Sequence, residues 1–236
     1  MAGKVFSDIY TESARDTGDQ TTSHITYVKK KVNDALRDMC SFMLFDFMRR
    51  STTLTLTAST QGYLASTFIS STWDEQTPVN IWYRGADNSP VELDSFDEHE
   101  WREEEDTDEG DCYGFHITKE SGSWKVLFTL VPSSSFVSSY SPLNVEYYVI
   151  PTELSAAGDI PEIPTAHHQL LVYWTNKLIC AEMGDDAGLA RWNALAESSM
   201  SKMIKRQVHR LGRPKRVYPR GYLTGKSTRQ LRDYNR

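Results

Sequence analysis

Apolar residues along this chain follow a helical spacing, then a strand spacing, then a helical spacing again. Between residues 24 and 48, Ile25, Val28, Val32, Ala35, Leu36, Met39 and Met43 recur at steps of three and four, which predicts one apolar helix face. Ser23 suits the N-cap. Lys29, Lys30, Lys31, Arg37 and Asp38 fall mostly on the opposite face. At a rise of about 1.5 Å per residue this helix would be roughly 37 Å long. Its last turns, Phe42-Met43-Leu44-Phe45-Asp46-Phe47-Met48, are apolar on nearly every side. Phe42, Phe45 and Phe47 are therefore expected in the core or against a neighbouring subunit.

From 51 to 150 the period becomes two. Thr53-Leu54-Thr55-Leu56-Thr57 alternates and is rich in β-branched residues, and Tyr63–Ser70, Val79–Arg84, Tyr113–Lys119, Trp124–Val131 and Leu143–Ile150 also predict strands. Glu120-Ser121-Gly122-Ser123 predicts a hairpin turn. Pro78, Pro90, Pro132 and Pro142 lie between strands, where the missing amide donor does no harm. Short strands without intervening helices imply an antiparallel sandwich or a barrel-like domain.

The helical period returns after a stiff linker, Gly158–Pro164. Thr165 is the expected cap of a helix to about Met183, closed by Gly184, with Leu170, Leu171, Trp174, Leu178 and Ala181 facing inward. A further helix over 186–205, capped by Asp185 or Asp186, carries Leu189, Trp192, Leu195, Ala196, Met200, Met203 and Ile204. Trp174 and Trp192 are expected in the core or at a subunit interface. The short connection makes these two helices antiparallel neighbours, and the helix over 24–48 completes a bundle. The expected fold class is α+β: a helical domain from 23–50 and 160–205, with a β domain at 51–159 inserted into it. Residues 1–22 are polar, with Asp8, Glu12, Asp16 and Asp19, and are expected to be an arm without persistent structure of its own.

Charge changes the picture more than composition does. The net charge of −6 conceals two opposed regions. Residues 1–201 hold 31 acids and 14 bases, a charge of −17; residues 202–236 hold 12 bases and one acid, a charge of +11. Within the β domain, residues 92–111 carry 12 acids against a single base, Arg102, and predict a solvated loop or lid. Trp101 and Phe96 would anchor it. At the other extreme, 206–236 predicts an extended basic arm. In it Arg210, Arg213, Lys215, Arg216, Arg220, Arg229 and Arg232 alternate with Tyr218, Tyr222, Leu223, Leu231 and Tyr234. Glycines and prolines interrupt any helix there, and the apolar residues suit docking along another surface rather than solvation alone.

Candidate chemistry is sparse. Cys40, Cys112 and Cys180 are far apart, so no CxxC pairing for zinc or redox chemistry arises, and Cys40 and Cys180 fall in apolar helical runs. A reduced, cytosolic setting fits, as does the lack of a signal-peptide pattern at the N-terminus. No apolar run of membrane-spanning length occurs, and no membrane partner is expected. Gly225-Lys226-Ser227-Thr228 imitates the end of a phosphate-binding loop, but the position five residues earlier is Arg220 and no apolar strand precedes it. His167-His168 is a poor metal pair, because adjacent side chains on a helix diverge by about 100°. The acidic run lacks EF-hand spacing, and no nucleophile elbow occurs. No cofactor, metal or catalytic site is expected.

The order of elements resembles the head–tail adaptor (connector) proteins of tailed bacteriophages, including the tail tubular protein A type. Three stretches carry the resemblance. The first is Val32-Asn33-Asp34-Ala35-Leu36-Arg37 followed by the Thr-rich strand Thr52–Ala58 and Gly62-Tyr63. The second is Val145–Leu154, a last strand running into a Pro-x-x-Leu turn. The third is Ile160–Met203, with its Ile-Pro opening and the turn Gly184-Asp185-Asp186-Ala187. The long acidic stretch and the long basic arm depart from the pattern.

The resemblance implies a non-enzymatic virion protein of the phage neck, assembled in the host cytoplasm as a homo-oligomeric ring, typically of twelve copies. The ring would sit between the portal protein and the tail nozzle or tail tube, with genome DNA passing through the centre. The arm would run along the portal, so its basic, tyrosine and leucine residues named above are the expected portal contacts. The competing reading is a nucleic-acid-binding protein that uses the same basic tail.

Overall fold

The computed structural model describes residues 3–210, with side chains to residue 206. The chain begins with α1 (Phe6–Asp16), α2 (Thr22–Phe42), β1 (Arg49–Leu54), β2 (Gly62–Leu64), β3 (Asn80–Arg84), β4 (Pro90–Glu92) and β5 (Asp94–Phe96). Next come α3 (Glu98–Glu104), β6 (Glu109–Gly110), β7 (Gly114–Glu120), β8 (Ser123–Phe128) and β9 (Val131–Pro132). The order closes with α4 (Ser134–Tyr140), β10 (Leu143–Tyr148), α5 (His168–Met183) and α6 (Asp186–Arg210). The fold is mixed α and β. The described residues divide into two compact units, residues 3–48 with 150–210, and Arg49–Val149.

In the first unit α5 packs against α1, α2 and α6. Val28, Val32, Ala35, Leu36 and Met39 of α2 are buried, the stripe expected from their spacing. Thr21, rather than Ser23, caps α2 by accepting from the His24 amide. Tyr27 and Lys31 of α2 both bind the Glu182 carboxylate of α5. Gly184 closes α5 at φ 69°, a left-handed conformation that glycine adopts without a Cβ clash.

Two expectations for this unit are corrected. The helix expected over 24–48 stops at Phe42. Met43 is extended at φ −160° and ψ 162°, and a short 3-10 turn covers Asp46–Met48. A helix apolar all round needs burial on every side. Leaving the helix instead lets Met43, Phe45 and Met48 bury in alternation while Asp46 stays exposed. Residues 1–22 were expected to form an arm without structure, yet Phe6–Asp16 is helical, with Phe6, Ile9, Ser13 and Ala14 buried. The amides of Phe6 and Ser7 donate to the carbonyls of Asp159 and Ala157, so the open N-terminal turn of α1 is satisfied from outside the helix.

In the second unit one four-stranded sheet has the order β1-β10-β3-β4, antiparallel throughout. Along β10, Leu143, Val145 and Tyr147 are buried and alternate with less buried residues. The other four-stranded sheet runs β2-β8-β7-β5. Its β7–β8 hairpin turns at Ser121 and Gly122, both at positive φ (50° and 81°), as a type I′ turn requires. Phe115, Val126 and Phe128 from this sheet share one apolar cluster with Leu54, Ile81, Leu143 and Val145 from the other.

The expectation of purely antiparallel pairing and the barrel-like alternative both fail among the described residues. No sheet closes, and β5 runs parallel to β7, as does the short β6 to β9. The stretch expected to be a solvated loop supplies the reason. Residues 97–113 contain α3, and a crossover of that length lets the chain return to β7 in the direction of β5. The close approach depends on Gly114, where a Cβ would lie 2.1 Å from the Phe96 ring.

Candidate functional site

The aromatic residues singled out in the sequence separate into two groups. Phe45 is fully buried and stacks on Phe47, with ring centroids 5.2 Å apart. Trp174 is buried and donates its indole N–H to Asp38 Oδ2 at 2.7 Å. Trp192 is buried against Tyr173, with Arg191 over its ring. These residues serve the core of their own unit. Phe42, by contrast, is 61% exposed at the end of α2, and Phe47 is half-buried. The basic and apolar arm lies outside the described residues. That covers Arg213, Lys215, Arg216, Tyr218, Arg220, Tyr222, Leu223, Arg229, Leu231, Arg232 and Tyr234, the side chain of Arg210, and the Gly225-Lys226-Ser227-Thr228 motif.

His167 and His168 do not form a pair. His168 is buried, and its Nδ1 and Nε2 lie 2.8 Å from the carbonyl oxygens of Lys4 and Ile163. It fastens the segment before α1 to the segment before α5. His167 instead faces a cavity of about 430 Å³ between the start of α5 and the last described turns of α6. Gln169, Tyr173, Lys202, Lys205 and Arg206 share its lining. Burial, followed by the charges of Arg206 and His168, holds the His167 imidazole below its ordinary value. Lys202, Lys205 and Arg206 stand at i, i+3 and i+4, one face of α6. The sequence shows that spacing, but it does not show His167 meeting it from another helix.

The acidic stretch has the opposite character. Asp97 caps α3 by accepting from the amides of His99 and Glu100 at 2.9 Å, and Glu100 reaches back to the Asp97 amide at 3.3 Å. This capping box explains how so acidic a segment starts a helix: negative charge near the first turn is favoured by the helix dipole. Glu98 binds Arg102 at 2.6 Å. Trp101 is the buried anchor, stacked on His116 at 5.7 Å, and His116 Nδ1 is 3.0 Å from the Phe96 carbonyl oxygen. Glu104 accepts from the Tyr113 hydroxyl at 2.8 Å; burial and this bond raise the Tyr113 ionisation above its ordinary value. Glu103, Glu105, Asp106, Asp108 and Glu109 remain exposed.

Reactive groups are not gathered anywhere among the described residues. No cluster of three or more His, Cys, Asp or Glu could hold a metal ion. All three cysteines are buried. Burial, with the charge of Asp111, pushes the Cys112 thiol up to about 12, so it carries no nucleophilic thiolate near neutrality. No helix among the described residues is long and apolar enough to cross a membrane.

No curated protein matches this chain in sequence. The sequence model of one family, described as SU10 adaptor protein, matches residues 6–218. The match takes in α1, both compact units and the start of the basic segment, and so spans far more than the three stretches that carried the resemblance. The chain belongs to the SU10 adaptor protein family, a family of phage head–tail adaptors.

Proposed function

We propose that this protein is a structural ring subunit of the phage neck, joining the portal to the tail, with the genome passing through the ring. The observation that carries this reading is the family match over residues 6–218, across both units. The proposal goes further in assigning a homo-oligomeric ring, of twelve copies on the resemblance, with a central channel and no catalytic step. The charge layout supports it. A body of −17 over residues 1–201 offers walls that do not trap DNA phosphates, and 12 bases in 202–236 offer a segment drawn to an acidic partner. Arg210, Arg213, Lys215, Arg216, Arg220, Arg229 and Arg232 would guide docking on the portal. Tyr218, Tyr222, Leu223, Leu231 and Tyr234 would supply its buried anchors.

The test is portal binding by a chain ending after Lys205. It should keep the thermal stability of the full chain and lose portal binding. Unchanged binding by the shortened chain would reject the assignment of 206–236.

A second reading, nucleic-acid binding through the same segment, is favoured by the cavity lined by Lys202, Lys205 and Arg206 on α6. Binding to duplex DNA that weakens steeply with salt, and disappears in the shortened chain, would support this alternative. Salt-insensitive or negligible DNA binding would dismiss it.

A further inference from the structure

We infer that the basic cavity between α5 and α6 receives carboxylates from the acidic stretch 92–111 of a second copy of this chain. The inference deepens the ring reading and rests on it.

Most cations among the described residues, Lys30 being an exception, have a partner within their own chain. Lys4, Arg15, Lys31, Arg37, Arg49, Lys119 and Lys125 each lie against a carboxylate. Lys29, Lys177 and Arg191 lie over aromatic rings. Lys202, Lys205 and Arg206 have neither kind of partner among the described residues. They stand on one helix face around a cavity of about 430 Å³. Like charges at such spacing repel one another, so an anion seated among them stabilises this face of α6.

The anion is available on the chain itself. Residues 92–111 hold 12 acids and one base, and the base is already bound to Glu98. Glu103, Glu105 and Asp108 are exposed, in a segment fixed by Trp101 rather than free to recoil from its own charge. The cavity is open, and its three cations are exposed, so carboxylate side chains can reach them from a neighbouring surface. Because cavity and acidic stretch are different surfaces, joining one copy's cavity to the next copy's stretch is a head-to-tail contact. Such contacts repeat around a ring when the rotation closes. Duplex DNA is the competing occupant, and the experiment below separates the two.

The experiment uses two full-length variants. One reverses the cavity (Lys202→Glu, Lys205→Glu, Arg206→Glu). The other reverses the stretch (Glu103→Lys, Glu105→Lys, Asp108→Lys), at exposed positions so that folding is kept. Sedimentation velocity is run on each variant alone and on an equimolar mixture, with and without portal, at low and high salt. Wild-type association should weaken as salt rises. Each variant alone should associate at least tenfold more weakly than wild type. The mixture should recover association, because each reversed cavity then meets a reversed stretch on the other chain. A mixture no better than its components overturns the inference, as does either variant associating like wild type. Loss of DNA binding in the cavity variant with association intact assigns the cavity to nucleic acid and overturns it too. Wild-type chain that stays monomeric even with portal would sink the ring reading as well, so the two failures are distinguishable.

Discussion

α1 and α3 are both short helices in acidic segments, and they hold their charges differently. In α1, Glu12 is bound by Lys4 and by Gln169 Nε2 at 2.9 Å, and Asp16 accepts from Asn176 at 3.3 Å. The buried stripe Phe6, Ile9, Ser13 and Ala14 fixes the helix to its unit, and its acids are matched by its own chain. In α3 a single buried residue, Trp101, does the anchoring; Glu98 and Glu103 in the helix are exposed, as are Glu105, Asp106, Asp108 and Glu109 after it. Acidity therefore does not decide whether a segment is ordered; the spacing of a few apolar residues does. What acidity decides is whether charge is left over for a partner. α1 leaves little, whereas α3 and the residues after it leave a great deal.

The contrast can be broken at its apolar anchors first. Phe6→Ala should cost about 3–5 kcal/mol of stability, because a fully buried ring leaves a cavity, read from urea unfolding of the full chain. A loss below about 1 kcal/mol would mean that α1 is not part of the folded unit. Trp101→Ala should act locally: amide exchange over residues 98–104 should accelerate by about one to two orders of magnitude, while the first unit's exchange stays unchanged. Unchanged exchange in α3 would show that the capping box holds it without the indole.

The charges give smaller effects. Burial raises the Glu12 carboxyl, but the bonds from Lys4 and Gln169 outweigh it, so the folded value lies below the ordinary 4.5. Its contribution is complete above that value and is lost as pH falls through the lower folded value. Glu12→Gln should cost about 1 kcal/mol at neutral pH and flatten the acid limb of the stability curve. An unaltered limb would remove Glu12 from the account of α1. Smallest of all, Glu103→Lys should stabilise the chain by about 0.3 kcal/mol, since a cation near the end of α3 suits the helix dipole. A measurable loss of melting temperature would show that the exposed acids already have partners.

Much of this structure is legible in the residues. The stripe Val28–Met39, the two-residue turn at Ser121-Gly122 and the glycine stop at Gly184 are local chemistry, and local spacing reveals them. α1 was hidden because four acids within 1–22 dominate its composition. The signal that could have found it is short: Phe6 and Ile9 are three apart, and the next buried position on that face, Ser13, is polar, with Ala14 beside it. The end of α2 is ambiguous in sequence because a heptapeptide with one polar residue, Asp46, satisfies helical and extended templates alike; packing of Phe45 and Met48 decides between them. The parallel pairing of β5 with β7 depends on α3 as a crossover, and the basic cavity on His167 meeting Lys202, Lys205 and Arg206 across two helices. Neither is visible one segment at a time.

The central claim, that this family member is a structural ring of the phage neck, is tested most directly by cryo-electron microscopy of intact particles that carry the full-length chain. A closed ring of density between portal and tail, into which both compact units fit, is the predicted result. A neck whose density holds no copy of either unit would contradict it.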